Sequence, residues 1–484
     1  MKRRDFLKTA GCGTAAALLS GCGGSAMRLA GGKKHPNILW LISEDTSPDL
    51  ACYGNSLVKT PNLDKLASEG ARFTNAYVTA PVCSASRSCF MTGMYQTSIG
   101  AHNHRSHRSD GYTLPEPISV ITEYFRQAGY FTSNCAGLGY KQKGKTDWNF
   151  STKVKPFDGT DWSKRQSDQP FFAQMNFSLT HRAFRKDKRN PIDPDKVELP
   201  PYYPDHPIAR RDWADYLESI QVLDTQIGVA MQWLVKEGLA DNTIVMYFGD
   251  HGRPHVRGKQ WLYEGGIHIP MIIRAPGQIE PGTVVDDLVS SVDFAPTFLS
   301  LAGIRPPKHL EGHSFLGPRR KQRKYVFAAR DRCDETVDRI RCVRSQRYKY
   351  IRNFMPERPY TQINRYKEDG YPVLRLMRRL HAAGQLTPEQ AHFMASTRPP
   401  EELYDLQEDP HELNNLAGNP DCKRILKEHR KKLEEWIEAT GDRGGIPEDP
   451  EIPRSYEKKM KDIYDERIRR KYKAEGMEIP AWLT

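Results

Sequence analysis

Four short clusters in this 484-residue sequence carry residue types that could do chemistry. In the first, Cys83-Ser84-Ala85-Ser86-Arg87 runs into Ser88-Cys89-Phe90 and then Met91-Thr92-Gly93. A cysteine that opens a helix sits among free N–H groups at the positive dipole end, where an anion is favoured. Arg87, four residues on, shares its helical face and can hold an oxyanion in a forked geometry. The bland alternative is a buried cysteine beside a surface arginine. The second cluster is Ser43-Glu44-Asp45, and the third is Phe248-Gly249-Asp250-His251-Gly252. Each follows an apolar run, and open α/β sheets place ligands at the carboxyl ends of such strands. Three carboxylates and a neutral imidazole suit a hard divalent ion, and oxygen-rich ligation favours calcium or magnesium. An acidic pair that merely caps a loop is the alternative for Glu44-Asp45. The fourth cluster is Lys259-Gln260-Trp261-Leu262-Tyr263-Glu264-Gly265-Gly266, whose glycines permit close backbone approach. A surface lysine before a turn reads equally simply.

The elements that must position these groups alternate. Asn37–Ile42, Ala71–Val78, Phe171–Leu179, Thr243–Phe248 and Ile269–Arg274 read as strands, several of them short continuous apolar runs. A helix starts at Thr60-Pro61, with threonine as N-cap and proline at the first helical position. Glu116–Ala128 reads as an amphipathic helix closed by Gly129, and Ala209–Lys236 as a long one. Strands alternating with helices predict an α/β sheet covered on both faces. Beyond about residue 320 the runs Tyr325–Ala329, Ile340–Arg344 and Tyr348–Arg352, with a basic helix Cys422–Glu438, predict a smaller α+β subdomain. Segments 183–206 and 441–456 read as loops, and no internal repeat is present. The expected organisation is therefore a leader and linker at 1–34, a catalytic α/β domain at 35–320, and a C-terminal subdomain with a basic tail at 321–484.

The clusters, in their order along the chain, resemble the type I sulfatases of the alkaline phosphatase superfamily. The first is similar to that family's Cys-x-Pro/Ala-Ser-Arg signature and following Leu-Thr-Gly, with Ala85 at the Pro/Ala position and Met91 in place of leucine. The resemblance implies an alkaline-phosphatase-like sheet between helices and a formylglycine made from Cys83 by a separate enzyme acting on the unfolded chain. It implies Glu44, Asp45, Asp250, His251 and residue 83 around the metal, calcium in preference to magnesium or manganese. This chain has Glu44 where the family usually has aspartate. Gly144-Lys145-Thr146-Asp147 is similar to the family's Gly-Lys-Trp-His, which gives Lys145 a sulfate-binding role and leaves Asp147 where a histidine is usual. Lys259, in a Lys-x-x-Leu-Tyr-Glu-Gly-Gly segment, would contact sulfate and protonate the leaving oxygen. His181, after the strand at 171–179, would bind sulfate or act as acid. His104 and Arg105 are candidates for the sugar subsite, although an ordinary polar loop fits them as well. Glu402-Leu403-Tyr404-Asp405-Leu406 resembles a structural C-terminal segment of the family.

The implied reaction is attack by a hydrated formylglycine, activated by metal and Arg87, on a sulfate ester. Proton donation to the leaving sugar oxygen is worth roughly 10²–10⁴-fold. The segment Asp331–Tyr350 resembles sulfamidase-like relatives, which keeps N-sulfated glucosamine among the substrates. Two competing readings remain at this level. One is a phosphonate or phosphodiester hydrolase of the same superfamily, for which Asp250-His251 is the best support. The other is a lipid-anchored glycan-binding protein with an unconverted Cys83.

Composition narrows the setting. Hydrophobic residues make up 38% of the chain, enough for a large core, which excludes a disordered protein. The net charge of +12 suits an anionic partner without choosing one, and no zinc-finger spacing or RNA-binding signature points to nucleic acid. Part of the charge lies in Arg454–Lys473, which reads as a solvated helical face. Lys2-Arg3-Arg4-Asp5-Phe6-Leu7-Lys8 resembles a twin-arginine export signal, and Leu19-Ser20-Gly21-Cys22 resembles a bacterial lipobox. These imply an exported bacterial lipoprotein, periplasmic or at the cell surface, whose only membrane contact is lipid on Cys22. A cleaved leader with a chance cysteine is the alternative. Six of the nine cysteines have no assigned task, and an oxidising compartment would permit pairs, Cys333 and Cys342 being nearest in sequence.

Overall fold

The computed structural model describes residues 35–483; the leader and Cys22 lie outside the described residues. Among the described residues, twelve strands form two sheets. The first contains β1 (Asn37–Ser43), β2 (Ala71–Tyr77), β3 (Phe131–Ala136), β4 (Phe171–Phe177), β5 (Thr243–Gly249), β6 (His268–Arg274), β7 (Thr283–Val285) and β8 (Val289–Ser290). Its order is β3-β4-β1-β5-β6-β2-β7, with β8 also on β2.

β3, β4, β1 and β5 run parallel, and every residue of β1, β4 and β5 is buried. That is why these strands read as unbroken apolar runs. Trp40 of β1 anchors the layer beneath the helices, with Phe172, Phe248 and Phe298 meeting its ring edge-on at 5.1, 5.7 and 5.4 Å. The strand expected over Ile269–Arg274 is β6, and it runs antiparallel to both β5 and β2. The sheet is therefore mixed.

Four helices of this half matter here: α1 (Pro61–Ser68), α2 (Cys83–Thr92), α3 (Ile121–Gln127) and α4 (Pro207–Lys236). The helix expected over Glu116–Ala128 is shorter at its start. Pro117 offers no N–H, and residues 116–120 form a turn closed by Ile118 N–H to Pro115 O before Val120 caps α3.

The second sheet is antiparallel, in the order β12-β11-β10-β9, from β9 (Val326–Arg330), β10 (Ile340–Arg344), β11 (Tyr348–Asn353) and β12 (Glu401–Asp405). The basic helix Lys423–Ala439 packs on it through Leu426, Leu433 and Trp436. The C-terminal helix Glu451–Ala474 is only partly a solvated face: Met460, Ile468 and Tyr472 are buried. Its basic side chains also reach back, Arg467 and Lys471 to Asp369. All seven cysteines among the described residues are unpaired, Cys333 and Cys342 included. No helix among the described residues is long and apolar enough to cross a membrane.

Candidate active site

The site forms where three parallel strands end together. Ser43 of β1 lies opposite Gly249 of β5 and Phe177 of β4, so the residues after each strand emerge at one edge. Glu44-Asp45 follow β1, Asp250-His251 follow β5, and Thr180-His181 follow β4. Asp45 has a positive φ of 51°, a costly conformation for a residue with a Cβ, and it is pinned there by its N–H to Asp250 Oδ1 at 3.0 Å. The glycines make this crowding feasible. A Cβ on Gly252 would lie 2.2 Å from Gly265 O, and one on Gly266 would lie 2.0 Å from Trp261 O.

Helix α2 delivers the cysteine. Val82 is extended, the helix begins at Cys83, and Gly93 ends it at φ 69°. All ten residues of α2 are buried, so its amino end points into the protein with no side-chain cap. Its first N–H groups face the acidic cluster's edge of the sheet, an anion-favouring position. Ser86 Oγ donates to Asp250 O at 2.6 Å and ties α2 to the end of β5.

Ligand atoms of Asp45, Cys83, Asp250 and His251 all lie within 4.8 Å of one another, and Glu44, Asp45 and His181 form a second such group. His251 Nδ1 faces Gly252 O at 2.9 Å, which makes Nδ1 the donor. Nε2 then meets Asp45 Oδ1 at 3.0 Å and Cys83 Sγ at 3.2 Å. Acceptors converging on a ring nitrogen require a positive charge between them. Without a metal that charge is a proton: burial opposes it, but Asp45 and Asp250 outweigh burial and push His251 up to about 10. Two aspartates and one imidazole nitrogen around a common point fit a divalent cation on the same grounds.

Cations ring this cluster. Arg87 donates from Nε to Asp250 Oδ2 at 3.0 Å and from Nη1 to Asn176 Oδ1 at 2.7 Å, while its buried Nη2 has no partner. Lys259 Nζ contacts both Asp45 oxygens at 2.8 and 3.0 Å and lies 3.7 Å from Cys83 Sγ. Lys145 Nζ bonds Glu44 Oε2 at 2.9 Å and lies 3.7 Å from Asp147. Burial works against an ionised Asp45, yet Lys259, His251 and His181 together hold its carboxyl well below the usual range. Burial, followed by Lys259, keeps His181 low, and its Nδ1 faces Arg182 O at 2.7 Å.

Cys83, Arg87, Lys145, Lys259, Asp45, Asp250 and His251 thus converge. Glu44 stands one position aside, on Lys145, and His181 borders Asp45. Arg105 lies at the rim, 45% exposed at its side chain. His104 differs from the expectation of a sugar-facing group. It is buried, its Nδ1 meets Ser84 Oγ at 2.8 Å, and its N–H donates to Arg332 O. Its Nε2 lies 3.9 Å from Asp334 Oδ1, and burial, with Arg105, Lys259, Arg332 and Lys145 nearby, holds the ring well below its usual pKa.

Two residues escape sequence reasoning. Asn176 receives Arg87 and donates to Asn134 Oδ1 at 2.7 Å, while Asn134 Nδ2 holds Gly144 O beside Lys145. A polar residue inside the apolar run of β4 was the available signal. Tyr366 comes from the helix Arg365–Gly370 of the C-terminal half; its ring lies 5.4 Å from Lys259 Nζ and 6.1 Å from the His181 ring. Its hydroxyl is buried without a partner. No motif surrounds it.

The chain is similar to known sulfatases. The family model described as Sulfatase matches residues 36–304, and that described as N-sulphoglucosamine sulphohydrolase, C-terminal, matches 249–373. The chain is 37% identical to an ulvan-active sulfatase of Formosa agariphila over 86% of this chain and 77% of the relative. It is 26% identical to the N-sulphoglucosamine sulphohydrolase of Homo sapiens, over 84% of this chain and 90% of that one. A protein solved with its substrate D-glucosamine-2-N,6-O-disulfate aligns with a TM-score of 0.59 at 20% identity, over 84% and 98% of the two chains. The mixed sheet with its separate antiparallel sheet is the alkaline-phosphatase-like fold.

Proposed function

The chain belongs to the sulfatase family, and from that premise we propose that it is a sulfamidase-like member that removes sulfate from a sulfated saccharide with residue 83 carrying the nucleophile. The observation that carries the proposal is Cys83 at the buried amino end of α2, within ligand distance of Asp45, Asp250 and His251 and flanked by Arg87 and Lys259. Oxidation of Cys83 to formylglycine by a separate enzyme, followed by hydration of the aldehyde, would supply an oxygen nucleophile in place of the thiol. A divalent cation held by Asp45, Asp250 and His251, with Glu44 alongside and calcium favoured, would supply Lewis-acid polarisation there.

The protein's own groups do the rest. Arg87 is fixed through two of its nitrogens, so the remaining Nη2 is preorganised for a sulfate oxygen and costs little to reorganise during reaction. Lys145 and Lys259 add positive charge on either side of residue 83, where negative charge develops. Lys259 has three N–H groups and only Asp45 as a short partner, so it is the group placed to protonate the leaving oxygen. His181 gives its Nδ1 proton to Arg182 O, which leaves Nε2 as an acceptor for a substrate hydroxyl or amine. Tyr366 closes the pocket over Lys259 and helps exclude water.

The substrate class follows from the relatives: a sulfated polysaccharide, or oligosaccharides released from one, with ulvan fragments and N-sulfated glucosamine as its two named arms. The test is sulfate release from a panel of such fragments. Release from at least one arm, lost in Cys83→Ala, is expected; a panel on which the wild-type protein releases nothing would sink the reading. The leader supports export and lipid anchoring at Cys22. Radiolabelled palmitate should enter the wild-type protein and not Cys22→Ala; equal labelling would remove the anchor from the account.

A further inference from the structure

A cavity of about 450 Å³ lies beside the candidate active site, between the loop 100–112 and the segment 443–456. The two are joined through Arg105, which lines the cavity and donates its N–H to Ser84 Oγ at 2.9 Å, one residue from Cys83. Three arginines and three acids line the wall, but they do not pair off among themselves. Arg105 and Arg108 share a single carboxylate, that of Asp147, which Lys145 also approaches. Arg443, a third cation on the wall, forms no ion pair among the described residues and meets only the neutral Tyr112 hydroxyl at 3.4 Å. The acids of the wall are already engaged elsewhere, Asp110 with His107, Glu448 with Arg332 and Glu451 with Arg454.

Two further features distinguish this wall from a solvated basic loop. His102 Nδ1 and Ser106 Oγ are buried there without any partner, and an unsatisfied buried polar group costs roughly 1–3 kcal/mol unless a ligand or water meets it. Ile446 and Ile452 leave 66% and 38% of their surface open on the same side. Apolar surface with a few fixed polar groups and cations is the composition that receives a sugar ring bearing an acid. The loop is also held in a defined shape: Arg105 and His107 adopt φ of 57° and 58°, a conformation that side-chain-bearing residues keep only when neighbours enforce it.

We propose that this cleft binds a second sugar unit of the saccharide, next to the one that carries the scissile sulfate, and that Arg108 and Arg443 read an anionic group on it, a carboxylate or a further sulfate. The placing of the ligand rests on the sulfatase reading above. The preferred substrate is accordingly an oligosaccharide with acid groups on neighbouring units, and a single sulfated sugar is a poor one.

The test is calorimetric titration of the full chain carrying Cys83→Ala, which binds without turnover. The probes are heparin-derived tetrasaccharides, the desulfated form that keeps carboxylates, the carboxyl-reduced form that keeps sulfates, and neutral maltotetraose. Arg108→Ala with Arg443→Ala should weaken the acidic tetrasaccharide at least tenfold and flatten its salt dependence. Lys427→Ala with Lys431→Ala, on the exposed face of the helix Lys423–Ala439 and outside the cavity lining, should not. Loss on desulfation alone assigns the read group as sulfate, and loss on carboxyl reduction alone assigns it as carboxylate. Absence of binding, equal affinity for maltotetraose, or equal weakening by the lysine pair would overturn the proposal. The sulfatase reading fails on a different result, no sulfate release by the wild-type chain, because the titration needs no turnover.

Discussion

Replacement of Arg87 by lysine separates charge from geometry at the heart of the site. Arg87 bridges Asp250 Oδ2 and Asn176 Oδ1 with two nitrogens and leaves the third free. A lysine keeps the charge but presents one ammonium, which cannot hold both partners and still offer a donor to sulfate. Asp250 retains a cationic neighbour, so the fold survives; full removal of charge, as in Arg87→Met, would leave a buried carboxylate at a cost of about 3–5 kcal/mol. Loss of one preorganised donor from a developing oxyanion typically costs about 3–4 kcal/mol, roughly 10²–10³-fold. Arg87→Lys should therefore lower kcat/KM for a sulfated saccharide by about 10²-fold or more, mainly through kcat, while circular dichroism and the unfolding midpoint stay close to wild type. Steady-state sulfate release gives the first quantity and thermal unfolding the second. A variant within fivefold of wild type in kcat/KM would refute the idea that the fork of Arg87 is built for the transition state.

Other outcomes follow from the same structure. Burial raises Glu335 from 4.5 to about 7, and one of its oxygens has no partner. Its folded pKa lies above its unfolded one, so its penalty is absent below pH 4.5, grows through the window, and reaches about 3 kcal/mol above pH 7. Glu335→Gln should raise stability at pH 8 and leave it unchanged at pH 4.5; an equal change at both would rule out that titration. Tyr366→Phe removes a buried unpaired hydroxyl, so stability should hold or rise while KM for the saccharide increases about tenfold; unchanged KM would show that the phenol does not meet substrate. Exhaustive chelation should stop sulfate release, and calcium should restore it at lower concentration than magnesium or manganese; turnover that survives chelation would exclude a metal at Asp45, Asp250 and His251.

Much of the site was legible because short sequence spacing and strand position carried it. The apolar runs at 37–42 and 243–248 announced buried strands, the first of them parallel, and the acids just after them emerge at one edge. The cysteine and Arg87 sit on one short helix, so their proximity is local. Tyr366 and Asn176 were less legible. Tyr366 joins the pocket from a charged helix far along the chain, and only tertiary packing brings it over Lys259. His104 looked exposed in a Gly/Ser-rich setting, yet its loop folds under α2 and buries it against Ser84. The antiparallel direction of β6 was invisible for a related reason: a buried strand has the same composition in either direction, and here its neighbours on both sides decide.

The central claim is that residue 83, once oxidised, is the group that attacks sulfate. Preparations with different degrees of conversion can be made by varying co-expression of a formylglycine-generating enzyme. In each, peptide mass spectrometry gives the fraction of residue 83 present as the aldehyde, and sulfate release gives specific activity. The account predicts a straight line through the origin. Activity independent of that fraction, or full activity with Cys83 wholly unmodified, would contradict it.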